Sequence, residues 1–190
     1  MTTSRMEAFS DGVLAILITI MVLELKAPHD ATLAALREAA PTFCSYVLSF
    51  VYLGIYWTNH HHTLHVTDRV NGAILWANLH LLFWLSLVPF VTNWMGDTSN
   101  APLPTAVYGA VLIASALAFT ILVRVIIRFQ GPGSKLQQAI QRDIKSKLSL
   151  VLYAAAIPLA FVHVWIADLL YITVALIWFV PDRRIERLRA

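Results

Sequence analysis

The chain is laid out as a series of apolar tracts, most about the length of one membrane crossing, separated by short polar connections. A bilayer core of about 30 Å takes ~20 apolar residues of helix. Within lipid, every backbone group of such a segment must find its partner inside the protein. Four tracts, 7–25, 42–59, 73–95 and 105–127, each fit one crossing. The tract 148–181 is longer, roughly 51 Å as a helix at 1.5 Å per residue, which overshoots. It contains Pro158, and His163 and Asp168 bracket a polar notch. It therefore reads as two short spans, 148–163 and 166–181, joined by a tight turn near 163–168. The expected fold is all-α: a single integral membrane domain over residues 1–190 with six transmembrane helices.

Composition agrees, with 58% hydrophobic and 13% charged residues, and leaves no room for a separate soluble domain. The first tract is not read as a cleavable signal, since it holds Asp11 and Glu24 and no small-x-small site precedes Pro28. The lone cysteine, Cys44, sits in the second span and excludes an intrachain disulfide. A net charge of +3 would suggest a nucleic-acid partner for a soluble protein, but here the basic residues flank spans. With six crossings and a cytoplasmic N-terminus, every Lys and Arg except Lys26 and Arg37 falls inside. Five crossings would move the C-terminal arginines outside and erase that bias. A multi-pass cell-membrane protein with both termini cytoplasmic, and no nucleic-acid partner, is the expectation. Of the connections, 29–40 reads as a small interfacial helix capped by Asp30. Segment 131–147 reads as a polar helix opened by Gly131-Pro132-Gly133 and a Ser134 cap, and 97–104 as a plain external loop.

The first span opens with Arg5-x-x-x-Phe9-Ser10-Asp11. Ionisable residues at the edge of a span are costly and by default mark function. Arg5 and Phe9 share a helix face, and Ser10 and Asp11 flank it. Further along, Gly12, Ile16, Thr19 and Leu23 follow the i, i+4, i+7, i+11 pattern, with Ile20 beside them. An apolar stripe of this kind ordinarily packs or faces lipid, and positions 14 and 17 read as lipid-facing neighbours. Thr19 by itself would bond to a carbonyl one turn back. Asp11 needs a partner wherever it is buried.

His60, His61, His62 and His65 cluster at the end of the second span, yet no second histidine box exists, so no metal centre is expected. Instead Asn59, His60, His61, Asn78 and His80 are expected to bond to Ser10 and Asp11 across helices. Such bonds contribute about 0.6 to 2 kcal/mol each in a membrane. Trp57, Trp76, Trp94, Trp165 and Trp178 fall near span ends as an aromatic belt, and Trp84 lies deeper.

The string Arg5-Met-Glu-Ala-Phe9-Ser10-Asp11-Gly12 at the head of six spans resembles the signature of the transmembrane protein 175 family of potassium channels. Trp57-Thr-Asn59-His60-His61, Asn78-Leu-His80 and Pro89-Phe90 extend the resemblance over most of the chain. It implies that the first helices line a pore and that a chain with one six-helix unit assembles as a homotetramer. It implies no cofactor besides the permeant K+ ion, and no enzyme activity. The family's constricting apolar residue lies five positions after the motif aspartate, which here is Ile16, and the hydroxyl linked to selectivity falls at Thr19. Rings of Ile16 and Leu23, with Ile20 beside them, would then gate by dewetting. No Thr-Val-Gly-Tyr-Gly filter is present, so the channel would be of an unusual type. The rival reading is a proton-coupled secondary transporter that relays protons through Asp11, His80 and His163. Transporters commonly carry internal repeats and paired broken helices, neither of which is detectable here. A membrane enzyme would need a convergent catalytic set, and none is visible. No span carries an arginine at every third position, so a voltage sensor is not expected.

Overall fold

A computed structural model describes residues 3–67, 69–131, 133–134, 136–137 and 144–179. The described residues form helices and connections, without a strand. In chain order the helices are α1 (Thr3–Leu23), α2 (Leu33–Glu38), α3 (Ala40–His65), α4 (Gly72–Ser86), α5 (Val88–Asp97), α6 (Pro102–Gln130), α7 (Ile144–Ala160) and α8 (Val164–Phe179). Among the described residues, three stretches are long and apolar enough to cross a membrane: Thr3–Leu23, Gly72–Asp97 and Pro102–Gln130. Val164–Phe179 is apolar but shorter.

Local chemistry sets the boundaries. Prolines begin α3, α5 and α6, where a missing N–H costs nothing. Asn71 caps α4 by accepting from the Ile74 N–H at 2.9 Å. Gly131 ends α6 with φ of 86°, a left-handed conformation that favours glycine. Leu87 separates α4 from α5, because Pro89 has no N–H to offer the carbonyl one turn back. The tract 73–95 is therefore a bent pair of helices. α4 packs mainly on α6, while α5 packs on α3 and α6.

α6 is the centre of the bundle and packs against α4, α5, α7 and α8. The closest approach is at Gly109, where an added Cβ would collide with the Tyr171 hydroxyl and lie 3.2 Å from Ile157. Several buried hydroxyls are satisfied inside the core, whereas that of Ser115 has no protein partner. The Tyr171 hydroxyl donates to the Thr105 carbonyl at 2.9 Å, and the Tyr52 hydroxyl donates to the Tyr171 carbonyl at 2.6 Å. Ser49 lies 2.6 Å from the Thr92 hydroxyl and 3.0 Å from that of Tyr108.

Three expectations are corrected. The turn in the last tract occupies 161–163, not 163–168. Asp168 stays inside α8 because Asn100 donates to its Oδ2 at 2.9 Å, so it does not need to sit in a turn. The same bond makes 97–104 more than a plain loop, since Asn100 also accepts from Ser45 at 3.3 Å and adopts φ of 58°. In segment 29–40 the cap is Thr32, which accepts from the Ala35 N–H at 3.2 Å, and not Asp30. Of the polar helix expected over 131–147, Ser134 accepts from the Gln137 N–H at 3.3 Å. Residues 138–143, the end of the last tract and the C-terminal arginines lie outside the described residues.

Candidate functional site: the first helix and its anchors

α1 is buried on one stripe, Met6, Ser10, Leu14, Leu17 and Met21. Its neighbours are α3, α4 and α5. Gly12, Ile16, Thr19 and Leu23 lie two positions on, about 200° round the helix at 3.6 residues per turn. All four, with Phe9 and Ile20, are exposed, Ile16 at 57% and Leu23 at 80%. Positions 14 and 17 are thus not lipid-facing: Leu14 is 1% and Leu17 6% exposed, because both lie on the stripe that packs into the subunit. Thr19 donates its hydroxyl hydrogen to the Ile16 carbonyl at 2.9 Å. Its oxygen keeps its acceptor lone pairs, and the residue is exposed.

The cytoplasm-facing half of α1, by the expected orientation, is held by two groups of side chains. In the buried group, Asn78 Nδ2 donates to Ser10 Oγ at 2.9 Å, and Ser10 Oγ passes its own hydrogen to the Met6 carbonyl at 2.8 Å. That leaves Asn78 Oδ1 to accept from His60 Nε2 at 2.7 Å, which fixes the proton on Nε2. His60 Nδ1 is buried and has no protein partner. In the outer group, Trp57 Nε1 donates to Asp11 Oδ1 at 3.0 Å, and His61 Nδ1 lies 2.8 Å from Glu7 Oε1. Trp57 and His61 are stacked, and His61 is stacked in turn on His65.

Of the residues expected around Ser10 and Asp11, the fold brings Asn78 to Ser10, and His60 to Asn78 behind it. It does not bring the others. His80 is two positions beyond Asn78, hence on the far side of α4, where it accepts from Trp84 Nε1 at 3.0 Å. Asn59 is one position from His60 and donates to the Ile55 carbonyl at 2.8 Å. His61 takes Glu7 in place of the Ser10/Asp11 pair, and Arg5 is exposed. Glu7 and Trp57 were missed as anchors. Their spacing carried the signal: Glu7 and Asp11 are i, i+4 on α1, and Trp57, His61 and His65 are i, i+4, i+8 on α3.

A bundle with several helices fit to cross a bilayer, one of them left bare along a full face, defines an integral membrane protein. The family described as "Endosomal/lysosomal potassium channel TMEM175" matches residues 5–89, which contain α1, α3 and α4 and hence every anchor above. A potassium channel of Chryseobacterium sp. (strain P1-3) is 54% identical over 187 residues, covering 98% of this chain and 97% of that protein. The endosomal/lysosomal proton channel TMEM175 of Danio rerio is 31% identical over 144 residues, 68% of this chain but 28% of that longer protein. Among solved structures, the lysosomal potassium-selective channel TMEM175 homolog from Chamaesiphon minutus superposes with a TM-score of 0.83 at 26% identity, covering 95% of this chain and 97% of that one. The chain belongs to the TMEM175 family.

Proposed function

We propose that four copies of this chain form a potassium channel in the cell membrane, with α1 of each copy lining the pore. The observation that carries this reading is the bare face of α1. A helix held by the Ser10 side and left open at Gly12, Ile16, Thr19, Ile20 and Leu23 has its exposed stripe available to meet its copies at an axis. Full-length similarity to the Chryseobacterium potassium channel supports the ion. A ring of Ile16 side chains closes such a path by desolvating the ion. Thr19, with its hydrogen already given to the Ile16 carbonyl, presents oxygen lone pairs, which suit a cation. Leu23 stands further out, as a second apolar ring. The six crossings of each chain are α1, α3, the bent α4–α5 pair, α6, α7 and α8, and both termini are cytoplasmic because Arg5, Arg69, Arg124, Arg128, Lys145 and Lys147 gather at that end. The membrane, K+ and three further copies are its partners. No step requires a cofactor.

A relay of protons through Asp11, His80 and His163 has no support in the geometry. Asp11 is engaged by Trp57, His80 by Trp84, and His163 is exposed beside Trp165.

The test is bilayer recording of the purified protein under a potassium/sodium gradient, with a reversal potential near that of potassium expected. Ile16→Ala should raise conductance several-fold while native mass spectrometry still finds tetramers. Thiol reagents should modify cysteines at 16, 19 and 23 faster than cysteines at the exposed flanking positions 15 and 22. Equal rates would sink the assignment of α1 to the pore.

A further inference from the structure

Of the side-chain contacts that hold the Arg5 end of α1, Glu7–His61 differs from the rest. Ser10–Asn78, Asp11–Trp57 and the Thr3 hydroxyl on the Thr67 carbonyl each involve at least one partner that does not titrate. Glu7–His61 joins two groups that both do, His61 Nδ1 lying 2.8 Å from Glu7 Oε1. The two side chains are partly exposed, His61 at 37% and Glu7 at 26%, so protons from water reach them. The imidazole is held in plane by stacking between Trp57, with ring centroids 6.2 Å apart, and His65, at 6.1 Å. That stacking keeps Nδ1 aimed at the Glu7 carboxylate across the α1–α3 seam.

Among the described residues, the charged and titratable groups around His61 are few. α1 brings Glu7 and Asp11, and its Arg5 is exposed. α3 itself brings His60, His62 and His65, of which His60 is committed to Asn78. α4 presents the uncharged Asn78 here, its His80 being turned to Trp84. α5 carries Asp97 beside Glu24 and Lys26, near the other end of α1, and Arg69, Arg124 and Arg128 are exposed.

We propose that Glu7 and His61 are positioning residues for α1, and that protonation of His61 tightens the seating of α1 against α3. The neutral ring gives the carboxylate one hydrogen bond; the protonated ring adds a full charge to the same bond. A partly exposed pair supplies a factor of about two to five in an equilibrium. Histidine is the side chain that changes charge between about pH 5 and 8. The effect on current rests on the proposed role of α1 as the pore helix, but the seating of α1 does not.

Nitroxide labels at the exposed positions Ala8 on α1 and Ala73 on α4, in a Cys44→Ala background, report the seating directly. Pulsed distance measurements at about pH 8 and about pH 5.5 should show the seated population rising two- to five-fold on acidification. Glu7→Gln keeps an acceptor of the same shape, and His61→Gln keeps a donor without charge; both should flatten the response. Potassium current recorded with pH stepped on the N-terminal face should lose its pH dependence in the same two variants. A label distance independent of pH in the native chain, or a pH response of unchanged size in Glu7→Gln, overturns the proposal. If the labels respond as expected but no potassium current flows at any pH, the channel reading fails and the positioning role is supported.

Discussion

α1 and α6 are both long apolar helices, yet the rest of the chain treats them differently. α6 is buried along much of its length and on several sides, from Pro104 and Thr105 through Tyr108, Gly109 and Leu112 to Ile126, with four other helices packed around it. α1 is buried on one stripe of five residues. In a bilayer this contrast cannot be read as a difference in hydrophobicity, since lipid is as good a neighbour as leucine. What separates the two is where small residues and polar pairs fall. α6 has Gly109 beneath Tyr171, with Ala118 and Ala106 letting helices approach. α1 has Ser10 as its buried polar anchor and keeps Gly12 on its bare side. The subunit is thus built around α6, and α1 is attached to it by a short seam.

The largest test of this contrast is Gly109→Val. The new side chain would meet the Tyr171 hydroxyl and Ile157 in a filled space, and overpacking of this kind costs about 2–3 kcal/mol. Denaturant titration in micelles should find the variant destabilised by that amount or unable to fold. Next comes Asn78→Leu, which strips the donor from Ser10 and the acceptor from His60. A loss of about 1–2 kcal/mol is expected by the same titration, and a neutral result would mean α1 is not anchored there. Smallest is Gly12→Ala. Nothing lies within 4 Å of the added Cβ, so subunit stability should hold or improve by about 0.5–1 kcal/mol. Loss of the proposed tetramer in native mass spectrometry would show instead that copies of α1 pack tightly at Gly12, which would sharpen the contrast into a map of the axis.

The helical segments were legible because lipid demands a fixed length of apolar chain, but the break at Leu87, which divides the expected span 73–95 into α4 and α5, was not expected. The buried half of α1 was harder. Its covered and bare stripes are both apolar, so sequence alone put Leu14 and Leu17 on the wrong side. The anchor set was half legible. Polar residues near a span end attract attention, but which of them meet depends on rotation about each helix axis. That rotation places Asn78 inward and His80 outward, two positions apart. The position of the last turn was not legible at all, since Asp168 Oδ2 accepts from Asn100, in a loop 68 residues earlier.

The bond from the Tyr52 hydroxyl to the Tyr171 carbonyl joins residues 119 apart. At about 5–20 residues per second of synthesis, roughly 6 to 24 s separate the two groups' emergence from the ribosome. During that interval α3 is completed while Tyr52 has no final acceptor, and once Gly109 has been made the place of the Tyr171 side chain beside it stays vacant. The helix that closes the core is therefore the last of the described ones to be made. A ribosome that stalls before α8 leaves a membrane-inserted chain with an unfilled groove and an unpaired hydroxyl, the kind of product that quality-control proteases are built to find.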